Sequence, residues 1–149
     1  MRSPRILAAA LLLASATAMA GPTMGYRSTL TDDGITDHKL TQAALDAALI
    51  AGMNSAGGDV KRPTPGLPAV EVHMMSVFRP ELSGLRSVSY LIQLRDEVTY
   101  KGKGAAVIVC GFSTGMANHG ASKDEGARIE AILKNAHVLG ARFAADCLK

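Results

Sequence analysis

Two cysteines, Cys110 and Cys147, limit how this chain can fold more than any other feature, because they stand in different kinds of segment. Cys110 lies near the end of the apolar run AAVIVCGF, and Cys147 lies three residues from the carboxyl end within AADCLK. In an oxidising compartment an even, widely separated pair reads most simply as one intramolecular disulfide. It would close a loop of 37 residues, for which chain entropy gives roughly 4 kcal/mol. A catalytic thiol or a soft-metal ligand is the competing reading. Nothing beside Cys110 supplies the electropositive setting of a reactive thiolate, and no C-x-x-C spacing is present.

The amino-terminal residues point to such a compartment. Arg2 and Arg5 precede an apolar stretch from Ile6 to Ala14, and Ala18-Met19-Ala20 has the small-x-small form of a cleavage site. Residues 1–20 therefore read as a cleavable signal peptide, and residues 21–149 as a single secreted α+β domain in the periplasm or outside the cell. Removing the leader takes two of 16 basic residues and none of 13 acidic ones, so the formal charge falls from +3 to +1. A near-neutral domain with three tyrosines, three phenylalanines and no tryptophan offers little to nucleic acid. The nine-residue apolar stretch is too short to cross a bilayer, which takes about 20 residues.

Within the mature chain, GPTMGYRSTLTDDGITDHK lacks a sustained period and leaves room for a short edge strand around Tyr26 to Leu30. The segment LTQAALDAALIAGMNSAGG predicts a helix of about four turns, with Leu40, Ala43, Ala44, Ala47, Ala48 and Met53 as its stripe, broadened by Leu45 and Leu49. Thr41 or Asp37 would cap it, and Gly57-Gly58 would stop it. Three prolines between Pro63 and Pro68 mark a loop. VEVHMMSVF alternates as a strand, with Val70 and Val72 on one side and Glu71, His73 and Met75 on the other.

The most regular pattern is SVSYLIQLRDEVTYKGKGAAVIVCGF. Val88, Tyr90, Ile92, Leu94, Val98 and Tyr100 alternate, and KGKG predicts a hairpin turn into a return strand. That strand is apolar on both faces, which points to a central, covered position. A final helix should start near Ser122 with Glu125 completing a capping box, and Ile129, Ile132, Leu133, Ala136, Leu139 or Gly140, Phe143 and Cys147 form its apolar face. The expected fold is α+β: a small antiparallel sheet of three to four strands packed with two helices, in the order α-β-β-β-α.

Several residues carry possible chemistry. GFSTG, Gly111 to Gly115, satisfies G-x-S-x-G, and Ser113, Asp124 and His137 follow in the chain order of a hydrolase triad. The pattern arises easily in a chain with 15 glycines, MANHGA intervenes before the next helix, and an ordinary turn accounts for it. His73, Met116 and His119 could join as soft ligands for copper, although methionine is more often core filler. Backbone amides in GFSTGMANHGAS with Lys123 could hold an anion, but no phosphate-loop spacing is present. Residues 60–103 hold seven basic and four acidic residues, among them Lys61, Arg62, Arg79, Arg95, Lys101 and Lys103, a candidate interaction surface.

No cofactor is implied. The sequence is read as a non-catalytic exported binding or interaction protein of a bacterial-type cell envelope, its partner an envelope protein or a small ligand. A serine hydrolase and a periplasmic metal or small-ligand carrier are the alternatives. The disulfide makes the first test: purified, unreduced mature protein should show no titratable thiol after denaturation, and two thiols per chain would refute the bond.

Overall fold

The computed structural model describes residues 23–32, 40–61, 66, 68–79, 85–119 and 124–149, apart from the side chains of Asp32, Leu85 and residues 115–119. The elements run β1 (Met24–Asp32), α1 (Gln42–Ser55), β2 (Val60–Lys61), β3 (Ala69–Arg79), β4 (Leu85–Tyr100), β5 (Lys103–His119) and α2 (Glu125–Cys147). The strands form one sheet in the order β2-β1-β3-β4-β5. β1 pairs parallel with both β2 and β3, whereas β3–β4 and β4–β5 are antiparallel.

The α-β-β-β-α succession is present, but the sheet is mixed and has five strands, where three to four antiparallel ones were expected. The difference comes from MGYRSTLTD. Its polar alternation suits a strand with one wet face. It pairs with β3 from Gly25 onward, while β2 covers only Met24 and Gly25, so Tyr26–Leu30 form an edge as expected. A strand followed by a crossover helix returns parallel to itself, and α1 is that crossover between β1 and β2. β2 has only two residues and is held by Asn54, whose side chain accepts from Val60 N at 2.9 Å and donates to Val60 O at 3.2 Å.

Alternation sorts the sheet into two faces. Tyr26, Val70, Val72, Met74, Val88, Tyr90 and Ile92 are buried beneath the helices with Leu45, Leu49, Met53, Ile132, Ala136 and Phe143. Complete burial of side chains of this size contributes about 1.5–3 kcal/mol each, before entropy is counted. In α1 the core residues are Leu45, Leu49, Gly52 and Met53, while Ala43 and Ala47 are exposed. The expected alanine stripe was displaced because alanine sits equally well on either side of a helix, and the larger leucines select the buried one.

The caps follow local chemistry. Thr41 accepts from Ala44 N at 3.1 Å at the start of α1. α2 is capped by Asp124, whose carboxylate accepts from Gly126 N at 2.8 Å, and not by Ser122, which lies outside the described residues. The two helices meet with almost no side chain between them. A Cβ on Gly52 would lie 2.0 Å from His137 O, and one on Gly140 would lie 2.2 Å from Leu49 O. Cys110 and Cys147 are bonded, with their Cα atoms 5.7 Å apart, so the end of α2 is fixed to β5.

The hairpin turn is confirmed at Lys101 (φ 50°) and Gly102 (φ 74°), the paired positive values that suit a two-residue connection. The expected central position of the return strand is overturned: β5 is the sheet's edge. Its apolar character on both faces belongs to an arm. β3 ends its pairing with β4 at Ala69↔Arg95, so beyond that point β4 and β5 continue as a two-stranded hairpin. Gly140→Ala should lower the stability of the folded protein by about 1–3 kcal/mol, since overpacking against backbone outweighs the gain in helix propensity. Urea unfolding monitored by circular dichroism measures it, and an unchanged midpoint would mean that the helices part freely.

Candidate functional site

Both helices lie on one side of the sheet, so the opposite side is bare among the described residues, and it collects polar residues at alternate positions. Thr29, His73, Leu91 and Ser113 stand in one row across β1, β3, β4 and β5. His73 Nδ1 and Thr29 Oγ1 are 2.9 Å apart. Nearby, Arg95 Nη1 donates to Glu71 Oε2 at 3.0 Å, and Arg27 Nη1 lies 3.7 Å from Glu71 Oε1. Glu71 thus links cations from two neighbouring strands. A shallow depression of about 390 Å³ lies over this row, lined by Thr29, Thr31, His73, Met75, Leu91 and Ser113 among others. It is open to solvent, and Leu91 separates His73 from Ser113 in the register.

The hydrolase candidates are spread through the fold. Ser113 lies within β5, paired with Leu91 on the bare face, so GFSTG is strand here and neither an ordinary turn nor an elbow. Asp124 caps α2 with its carboxylate. His137 is exposed on α2, on the other side of the sheet from Ser113. A general base must lie within about 3 Å of the proton it takes, and His137 is on the far side of the sheet from Ser113.

The proposed metal ligands are separated along the strands. His73 pairs with Leu91, whereas the backbone of His119 pairs with Arg86. Those two β4 positions are five residues apart, roughly 17 Å at strand rise. The side chains of Met116 and His119 lie outside the described residues, as does Lys123. Among the described residues, no group of three or more His, Cys, Asp or Glu could hold a metal ion.

Nor do the basic residues form one surface. Lys61 is at the β2 edge, 3.3 Å from Asp59, and Arg95 is engaged by Glu71. Arg79 and Ala69 bound β3, so Arg79 is about 33 Å along the strand from the arm that carries Lys101 and Lys103. Arg62 lies outside the described residues.

Buried polar groups are absorbed by the fold. Asp46 is 2% exposed and accepts from Tyr26 Oη and Ser28 Oγ, both at 2.7 Å. Gln42 Nε2 in turn donates to Ser28 Oγ at 2.8 Å, so the set fastens α1 to β1. Arg86 is 4% exposed, donates to Ser76 Oγ at 3.2 Å and lies 4.8 Å above the Phe78 ring. Tyr90 differs: its hydroxyl, like that of its register partner Thr114, has no hydrogen-bond partner among the described residues. Burial raises the Tyr90 phenol above its ordinary pKa.

What the sequence reading missed is the arm. Val98 and Tyr100 are exposed there, Tyr100 to 68%, and Ile108 and Val109 are exposed at its base on β5. By alternation from Leu94, Asp96, Val98 and Tyr100 face the helix side of the sheet, where α2 has already ended at Cys110. The signal was the distance from SVSYLIQL to the KGKG turn: a hairpin reaching Tyr100 extends past the end of a third strand as short as VEVHMMSVF.

No family model matches this chain, and no curated protein matches its sequence. A solved structure described as "Crystal structure of uncharacterized protein" is similar over 85% of this chain and 82% of its own, with 14% identity and a TM-score of 0.41. Among the described residues no helix is long and apolar enough to cross a membrane. Because an unsatisfied hydroxyl gains nothing from burial, Tyr90→Phe should leave stability unchanged or raise it by about 1 kcal/mol. A loss above that in denaturant titration would show that the hydroxyl is bonded.

Proposed function

We propose that the protein is a non-catalytic, exported binding or interaction protein of a bacterial-type cell envelope, and that the β4–β5 arm is its contact surface. The observation that carries this reading is the exposure of Val98, Tyr100, Ile108 and Val109 on a hairpin that no described element covers. Apolar side chains gathered on a protruding element mark interaction sites, whereas single exposed ones do not. Tyr100 adds a large apolar surface with a polar tip, and Lys101 lies 5.3 Å from its ring. The leader-like first 20 residues and the disulfide both favour export.

A small-ligand carrier has one observation in its favour, the depression over His73 and Ser113. Its openness makes it the weaker reading, since small-ligand sites enclose most of their ligand. The basic residues support a polyanion partner poorly, because they are dispersed or already paired.

Photo-crosslinking in the source cells tests the arm directly. A photoreactive residue at Tyr100 should give a discrete adduct of the mature chain, while one at Val138, an exposed apolar position on α2, should give none. Equal labelling at both positions, or none at Tyr100, would remove the arm from consideration. Ester turnover abolished by Ser113→Ala would overturn the non-catalytic reading.

A further inference from the structure

We infer that the arm's partner is a second copy of this chain, joined by antiparallel pairing of β5 with β5 across a two-fold axis. This rests on the proposal that the arm is a contact surface and names its occupant. An edge strand presents a row of unpaired amides and carbonyls, and proteins normally blunt such edges with charge, proline or brevity. The sheet's other edge is β2, two residues ending on Lys61, and then β1 from Tyr26, which carries Arg27 and whose Ser28 O accepts from Gln42 Nε2 at 3.0 Å. The free side of β4 beyond Arg95 carries Asp96 and Glu97.

β5 is the exception. From Gly104 to Asn118 its sequence holds no charged residue and no proline. Register shifts interrupt it near Val109 and near Gly115–Met116, which leaves Lys103–Ile108 as a regular run on the arm. Two such runs paired about Ala106 set Ala105 against Val107 and Gly104 against Ile108, so that no like charges meet. Ile108 and Val109, each 51% exposed, gain neighbours.

The charges at the ends of this pairing are complementary. Lys103 would stand opposite the partner's Val109, beside Cys110 in that copy. A two-fold axis normal to a continuous sheet keeps both helix layers on the same side, and Lys103 shares the helix side with its register partner Tyr100. There it meets the C-terminal end of the other α2, where Cys147 is bonded to Cys110 and Asp146 is exposed. Arg142, 3.9 Å from Asp146, lies 5.2 Å above the Phe112 ring of β5, so this side of α2 faces the edge strand. A cation suits both Asp146 and the negative end of the helix dipole. The product is one ten-stranded sheet with four helices on one side.

Light scattering coupled to size-exclusion chromatography on the mature, disulfide-intact protein tests this from about 1 to 100 μM, the range of a moderate dimer. The expected mass is twice that of the chain. Ala106→Lys places two lysines against each other and should give the monomer, whereas Ala106→Thr should keep the dimer. Ala106→Cys should cross-link to itself on oxidation, since facing Cα atoms in an antiparallel pair are about 4.5–5.5 Å apart. A monomer at every concentration overturns the proposal, as does a dimer that Ala106→Lys leaves intact and Ala106→Cys fails to trap. A monomer that still yields a Tyr100 adduct with a different polypeptide refutes the second copy alone and leaves the contact surface standing.

Discussion

The backbone contact between α1 and α2 sets the extent of everything else. With Gly52 against His137 O and Gly140 against Leu49 O, the two helices form a layer of nearly fixed width. That layer covers Tyr26, Val70, Val72, Val88 and Ile92 and ends where Cys147 reaches Cys110. β4 and β5 do not end there. The arm is therefore a product of mismatch: the hairpin is longer than the helices laid on it, and its outer residues have no second layer to enter.

The same mismatch explains the character of the two exposed regions. On the bare face, polar and charged residues pair with one another, as Glu71 does with Arg95 and Arg27. Such a face is the ordinary outcome for a sheet packed on one side only. On the arm, Asp96, Glu97, Lys101 and Lys103 are joined by no ion pair among the described residues. One region is already satisfied within the chain, and the other is not.

Much of this was legible in the residues. The Cys110–Cys147 bond followed from their number and spacing, the β3 alternation from VEVHMM, and the hairpin turn from KGKG. α2 was legible because Ile132, Ala136, Gly140 and Phe143 recur at helical spacing. Legibility failed where size carried the information and pattern did not. Alanines in α1 gave a period without a preferred side, and MGYRSTLTD looked irregular because its parallel partners lie far away in sequence. Ser113 was misplaced for a related reason: Gly111 and Gly115 suggest a turn locally, while Leu91 and its neighbours in β4 hold the segment in the sheet. An apolar run such as AAVIV reads as buried unless the length of its neighbours is known.

The disulfide has a consequence beyond fastening a helix. An edge strand is the part of a sheet that an invading strand could peel away, and β5 is weakly defended along the arm. At Cys110 that vulnerability stops, because the strand can leave the sheet beyond this point only by carrying α2 with it. The bond thus divides β5 into a stretch open to exchange and a stretch locked to the body of the protein. Fraying that begins at the free edge of the arm therefore halts before it reaches the core beneath the helices.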